Sequence, residues 1–309
     1  MFREGWITLN SMPTHVMTWG GWIEDDLDSD SVLVCVPGNP GITDFYFYFL
    51  ENLHSLIGIP IWVINHAGTE PAPPNFSQPS LDEHPELFNL AGQVKHFKAF
   101  INKYVPENKK LFLIGHSVGG KICVELMKND DIASRASQIH LVFPTLLHIN
   151  QSPNGKLFTS YIQYLIPVII FLAWLIGIVP QFVQLNMVSV YFWARGAWKN
   201  CHMESCVKGT LKLFRWGAAK SSLSLAKDEM YKINDLDNEI YENYYDRIFC
   251  YFAQNDRWAP LFQYHQIMEK HPKIQGVILD SKFTHSFVLT TPVDMAQVLA
   301  KNIETKLKN

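Results

Sequence analysis

The sequence predicts an α/β fold: a mostly parallel central sheet with helices on both faces and an apolar insertion. Three observations predict it. Six short, largely apolar, β-rich runs recur along the 309 residues. Helical periodicities alternate with these runs toward both ends of the chain. One long stretch, from about residue 151 to 245, breaks the alternation.

The first run, residues 32–36, leads into Pro37-Gly38-Asn39-Pro40-Gly41. The second is 61–65. The third, 111–114, enters Gly115, and the fourth is 139–143. The fifth and sixth are 248–253 and 274–279. Runs apolar on both faces are what a parallel sheet covered by helices requires. Between the second and third runs, Leu87, Leu90, Ala91, Val94, Phe97, Ile101 and Tyr104 recur at helical spacing, with Lys95, Lys98 and Lys103 off that stripe. The Pro-rich stretch 70–79 reads as a loop. Thr291-Pro292 followed by apolar periodicity over 293–307 reads as a final helix. Residues 1–309 are expected to form one domain, with 151–245 inserted as a cap between the fourth and fifth strands.

Composition narrows the function. Hydrophobic residues make up 48%, charged residues 18%, and the net charge is −3. That supplies a large core but no clustered Lys and Arg, so no nucleic-acid partner is expected. The cysteines, Cys35, Cys123, Cys201, Cys206 and Cys250, are odd in number and scattered, which fits a reducing location. Cys201 and Cys206 flank His202, but the set lacks a fourth ligand and the spacing is poor, so neither metal nor cofactor is expected. Residues 1–10 carry Arg3 and Glu4, and no apolar run follows as in a signal peptide.

Gly115-His116-Ser117-Val118-Gly119 matches Gly-x-Ser-x-Gly. Roughly one chain in ten of this length carries that pattern by chance, given ~7% Gly and Ser. Its setting raises its weight. It follows a strand and precedes a helical run, 121–127, as a nucleophile elbow does. Gly115 and Gly119 suit the tight turn, which lifts the Ser117 hydroxyl clear of the sheet. A serine hydroxyl needs a base. His285 lies beyond the last strand, in Phe-Thr-His-Ser-Phe. The acid should follow the preceding strand, and Asp256 does. Asp280 is the rival acid, only five residues before His285. The order Ser, Asp, His is that of the α/β-hydrolase fold. Two N–H groups are needed for the oxyanion, and those of Val118 and Asn39 are expected to supply them. Pro37 and Pro40 have no N–H to offer, and Gly38 forms the turn. A serine nucleophile confines the chemistry to acyl transfer from esters, thioesters or amides.

No residue from 157 to 194 is charged, and 165–179 is almost wholly aliphatic and aromatic. Three readings compete. A single bilayer span would put Ser117 and the Asp256–His285 pair on opposite sides, and the three could not meet. A buried core helix is the second. The favoured reading is a monotopic hairpin or interfacial helix pair turning near Pro180. Leu165, Phe171, Trp174 and Ile178 would be its membrane anchor. Lys156, Arg195 and Lys199 flank it, and Tyr161, Tyr164, Trp174, Tyr191, Trp193 and Trp198 suit an interface. An apolar cap of this kind above a serine nucleophile points to a lipid ester as substrate.

Val34-Cys-Val-Pro-Gly-Asn-Pro-Gly41, the run Asp44-Phe-Tyr-Phe-Tyr-Phe49 and Gly115-His-Ser-Val-Gly-Gly120 together resemble the lipid-droplet-associated hydrolases. Asn255-Asp256-Arg-Trp258 and Thr284-His285-Ser286 look like theirs too, so the likeness covers most of the chain. The resemblance implies an α/β-hydrolase held on lipid droplets and endoplasmic reticulum, facing the cytosol. It implies the triad Ser117, Asp256 and His285, and a cholesteryl ester or other neutral lipid ester as substrate. Pro37 departs from many α/β-hydrolases, where a His often precedes the oxyanion-loop Gly. A droplet-coat or tethering protein, and an acyltransferase using the same serine, are the alternatives.

Overall fold

The computed structural model describes residues 1–194, 196 and 201–307. Its eight strands form a single sheet in the order β1-β2-β4-β3-β5-β6-β7-β8. They are β1 (Phe2–Leu9), β2 (Met12–Trp19), β3 (Ser31–Val36), β4 (Ile61–Ile64), β5 (Lys110–His116), β6 (Ala136–Val142), β7 (Ile248–Ala253) and β8 (Gln275–Leu279). β1, β2 and β4 pair antiparallel; from β4 onward all pairs are parallel. The helices are α1 (Phe47–Ile57), α2 (Leu90–Tyr104), α3 (Val118–Leu126), α4 (Asp130–Arg135), α5 (Pro153–Leu157), α6 (Gln163–Gly177), α7 (Gln181–Ala194), α8 (Met203–Leu213), α9 (Trp216–Lys232), α10 (Asn238–Asn243), α11 (Leu261–Lys270), α12 (Phe287–Thr290) and α13 (Pro292–Leu307).

All six apolar runs are strands. Alternation along them builds two cores. In β3, Val32, Val34 and Val36 face one side, toward α2 and α3. Leu33 and Cys35 face the other, toward α1 and α13. β8 differs from the expected buried strand: Val277 and Ile278, which point to opposite faces, are both exposed, because β8 is the edge of the sheet.

β1, β2 and α1 are among the elements that the sequence pattern does not predict. β1 and β2 form a hairpin turning on Asn10-Ser11, both at positive φ (49° and 65°). Positive φ at both central residues is the type I′ turn that suits strand twist. Asn-Ser signals it more weakly than Asn-Gly, and β2 hides its strand character by burying Thr14, His15 and Thr18. α1 lies under the aromatic run and ends where Gly58 adopts φ 72°.

Between β6 and β7 the chain passes through α5 to α10. A π-helical turn (Phe158–Ile162) joins α5 to α6, and the helix runs on through Pro167. α6 packs on α9 and α7 on α8, while α6 and α7 scarcely touch. The expected pair turning near Pro180 is therefore present as two splayed helices rather than a closed hairpin. Cys201 and Cys206 are buried with Val188, Phe192 and Val207, and His202 caps α8, its Nδ1 2.8 Å from Ser205 Oγ. Arg195, Trp198 and Lys199 lie outside the described residues.

One buried ionic cluster ties α8 to the sheet. Lys212 Nζ donates to Asp44 Oδ2 and Glu70 Oε2, both at 2.5 Å. Glu70 Oε1 accepts from the Thr43 N–H at 2.7 Å and hydroxyl at 2.8 Å, and His15 Nδ1 lies 3.1 Å from Glu70 Oε2. His15, Asp44 and Glu70 could together ligate a cation, but the Lys212 ammonium already sits between the two carboxylates. Removing one partner of a buried ion pair strands the other. Lys212→Met should therefore lower stability by about 3–5 kcal/mol, read as a lower urea midpoint, with α8 losing hydrogen-exchange protection first. Unchanged protection across α8 would show that the clamp does not hold it.

Candidate active site

Parallel strands end on the same edge of a sheet, so the loops after β3, β5, β7 and β8 gather there. β5 delivers Ser117 at a sharp turn, with φ 55° and ψ −122°, and α3 begins at the next residue. Such a conformation costs about 1–3 kcal/mol and persists only where neighbours enforce it. A Cβ on Gly115 would lie 2.5 Å from Gly119 O, and one on Gly119 would lie 2.1 Å from Val36 O. Glycine at both positions lets β5, α3 and the end of β3 come into direct contact.

His285, in the loop after β8, meets Ser117. Its Nε2 lies 2.9 Å from Ser117 Oγ, and its Nδ1 lies 2.8 Å from Asp256 Oδ2. Asp256 is buried. Its Oδ1 accepts the N–H of Trp258 at 2.7 Å and of Ala259 at 2.9 Å. Burial pushes the carboxyl up, but the His285 contact and these two N–H donors more than offset that and hold it below its ordinary value. Asp256 is thus an anion at neutral pH. An anion there accepts a hydrogen bond from the Nδ1–H of His285 and leaves the Nε2 lone pair facing the Ser117 hydroxyl. Asp280 is exposed and accepts instead from the Lys282 N–H at 3.0 Å.

The other expected oxyanion groups are close by. Val118 opens α3, so its N–H has no intrahelical acceptor. Asn39 lies in the loop after β3 and precedes a cis proline, Pro40. Its side-chain amide donates to Ser222 O at 2.9 Å and to Glu229 Oε1 at 3.0 Å.

Two supports escaped the sequence reading. Gly38 N–H donates to the Tyr46 hydroxyl at 2.6 Å, Tyr46 lies 2.6 Å from His116 Nδ1, and His116 Nε2 lies 2.9 Å from His285 O. The direction is determined from end to end. Tyr46 accepts from Gly38, so its O–H donates to His116 Nδ1, and His116 Nε2–H donates to the His285 carbonyl. Burial, with His285 nearby, pulls His116 down to about 3, so the ring stays neutral. The chain ties the loop after β3 to the backbone of His285. Its signal was present: His116 is the variable residue inside Gly-x-Ser-x-Gly, and Tyr46 sits in the aromatic run.

Ser117 and His285 open into a cavity of about 540 Å³, lined also by Asn39, Glu229 and Trp258. Apart from Ser222, its remaining wall is apolar. It comes largely from α6 (Ile169, Leu172, Ala173, Ile176) and α9 (Ala219, Leu223, Ala226). The opposite side of α6 is bare. Leu165 is 52% exposed, Phe171 54%, Trp174 47%, and Ile178 just beyond it 63%. Residues 153–177 are long and apolar enough to cross a membrane, yet only 6% of the most apolar window is buried. A buried core helix is thereby excluded.

The family described as lipid-droplet associated hydrolase matches residues 29–288. The chain belongs to the lipid-droplet-associated hydrolase family. It is similar to the lipid droplet-associated hydrolase of Drosophila melanogaster, 34% identical over 98% of each chain. It is similar to that of Gallus gallus, 30% identical over 96% of this chain and 93% of the other. To that of Homo sapiens it is 26% identical, over 99% and 96%. Among solved structures, a serine hydrolase from Cycloclasticus zankles superposes with a TM-score of 0.62 at 14% identity, covering 99% of this chain and 97% of that one. An esterase from Thermogutta terrifontis gives 0.60 at 13%, covering 98% and 99%. At such identities the structures show the α/β-hydrolase fold alone. As a member of this family the chain is a hydrolase.

Tyr46→Phe keeps the ring and removes the central link of the Gly38–Tyr46–His116 chain. A buried donor and a buried acceptor lose their partners, so stability should fall by about 1–3 kcal/mol, measured as a lower denaturation midpoint. A midpoint equal to wild type would mean that the link carries no weight.

Proposed function

We propose that this member of the family is a serine esterase that cleaves acyl esters of neutral lipids through an acyl-enzyme, at the lipid-droplet surface. The observation that carries the reading is the continuous contact from Ser117 through His285 to Asp256 at the mouth of an apolar cavity. In this reading Ser117 Oγ attacks the ester carbonyl while His285 Nε2 takes its proton. The tetrahedral oxyanion is held by the N–H groups of Val118 and Asn39. His285 then passes the proton to the leaving alcohol, and the C–O bond breaks. Water, deprotonated by His285, releases the fatty acid and restores Ser117. Asp256 stays ionised throughout and stabilises the imidazolium.

The lipid surface is the second part of the proposal. α6 and α7 each expose several large apolar side chains, a feature of the kind that marks membrane or partner contact. The names of the relatives place those proteins on lipid droplets. A monotopic attachment, with Leu165, Phe171, Trp174 and Ile178 in the lipid, would keep Ser117 and His285 on one side. Endoplasmic reticulum, from which the cytosolic face would be engaged, is the companion membrane, and cholesteryl ester is one substrate in the class.

Ser117→Ala should abolish fluorophosphonate labelling and release of fatty acid from neutral lipid esters, with folding intact. Labelling that persists would place the nucleophile elsewhere, and labelling without release from any ester would turn the reading toward a transferase. Phe171→Glu with Trp174→Glu places two charges on an exposed face, where the fold should tolerate them. The double variant should float free of droplets and vesicles that retain the wild type. If it stays bound, the anchor lies elsewhere.

A further inference from the structure

The cavity holds one feature that ester hydrolysis by the triad does not use. Glu229, on α9, is 4% exposed and faces the cavity beside residues that are mainly apolar. No cation pairs with it among the described residues. Its Oε1 accepts only the Asn39 amide at 3.0 Å. Glu229 Oε2 and Asn39 Oδ1 have no hydrogen-bond partner among the described residues. A carboxyl buried without full pairing is costly, and an aliphatic side chain would serve the fold better. Burial, with Asp228 adjacent, pushes Glu229 up to about 7, so near neutral pH the group exists both as acid and as anion. The acid can donate to a hydroxyl, and the anion can accept from one.

The pair lines the same cavity as Ser117 and His285. A Cβ on Gly38, the neighbour of Asn39, would lie 2.9 Å from Ser117 Cβ. A long acyl chain belongs against the apolar wall of α6 and α9, which leaves the polar pair for the alcohol part of the ester. We propose that Asn39 and Glu229 form a subsite for a free hydroxyl on the alcohol moiety. The preferred substrates are then hydroxyl-bearing lipid esters, such as partial glycerides, over esters without a free hydroxyl. The inference rests on the serine-esterase reading and refines its substrate class.

Two esters that differ by one hydroxyl test it: 2-hydroxyethyl oleate and ethyl oleate, in the same detergent micelles. The readout is the ratio of their kcat/KM values in the wild type, Glu229→Met and Glu229→Gln, with Ser117→Ala as control. A site built around a hydroxyl discriminates against the analogue lacking it by at least ~10-fold. The wild-type ratio should reach that. It should fall to about 1 in Glu229→Met and survive largely in Glu229→Gln, which keeps a donor and an acceptor. A merely structural role would slow both esters together and leave the ratio unchanged. An unchanged ratio in folded Glu229→Met, or a wild-type ratio near 1 whatever the variants do, overturns the subsite alone. Absence of Ser117-dependent cleavage of either ester overturns the esterase reading and the subsite with it.

Discussion

The turn at Ser117 is the constraint on which the rest of the site is arranged. A residue with a side chain at φ 55° and ψ −122° is strained, and nothing within the turn itself relieves it. The strain is held by what surrounds it. β5 is buried between β3 and β6, and α3 packs back on β5 and β6. The glycines at 115 and 119 let these parts touch where a methyl group would collide with backbone. Given that turn, the hydroxyl stands clear of the sheet at the start of α3. The positions of His285, Asp256 and the loop after β3 then follow from strands that all end on one edge.

Distances of 2.8 and 2.9 Å along the Asp256–His285–Ser117 line need more than three side chains. Asp256 is fixed by two backbone N–H groups, which also keep it ionised inside the protein. His285 is fixed through its own carbonyl, by a neutral His116 that is fixed in turn by Tyr46. The same tyrosine accepts a hydrogen bond from the N–H of Gly38, so His285 and the loop after β3 share one support. A charged His116 would leave Tyr46 no acceptor on the ring, and burial prevents that charge. The network runs in one direction only.

Much of this was legible in the sequence, and the reasons are physical. Strands buried on both faces are mostly apolar, so β3 to β7 announced themselves, β6 despite its buried Gln138 and His140. The elbow was legible because its glycines answer to sterics. Strand order favours Asp256 over Asp280, and in the structure Asp256 meets His285 while Asp280 is exposed. The hairpin β1–β2 was not legible, since β2 carries buried polar residues whose partners lie far off in sequence: His15 meets Thr43 and Glu70. Tyr46, His116 and Glu229 were missed for the same reason. Their contacts join positions far apart, 70 residues from Tyr46 to His116 and 190 from Asn39 to Glu229, so even the motifs that contain Tyr46 and His116 do not say what each residue meets.

The apolar stretch of the cap shows how one sequence signal arises from two requirements. A helix that only covered a cavity would be apolar on one side and polar on the other. α6 is apolar on both. Its inner residues, Ile169, Ala173 and Ile176, line the cavity, and its outer ones, Leu165, Phe171 and Trp174, are bare. Leu172 belongs to both sets, half exposed and lining the cavity. In the proposed reading this continuity is functional, because an ester would pass from lipid to Ser117 along hydrocarbon without first being hydrated. The cost of moving a long acyl chain through water, about 0.8 kcal/mol per methylene, would otherwise stand in the way of every turnover. An apolar path of this kind offers no discrimination between one greasy ester and another, so in that reading selectivity would come from the few polar side chains that line the cavity, Asn39 and Glu229 among them.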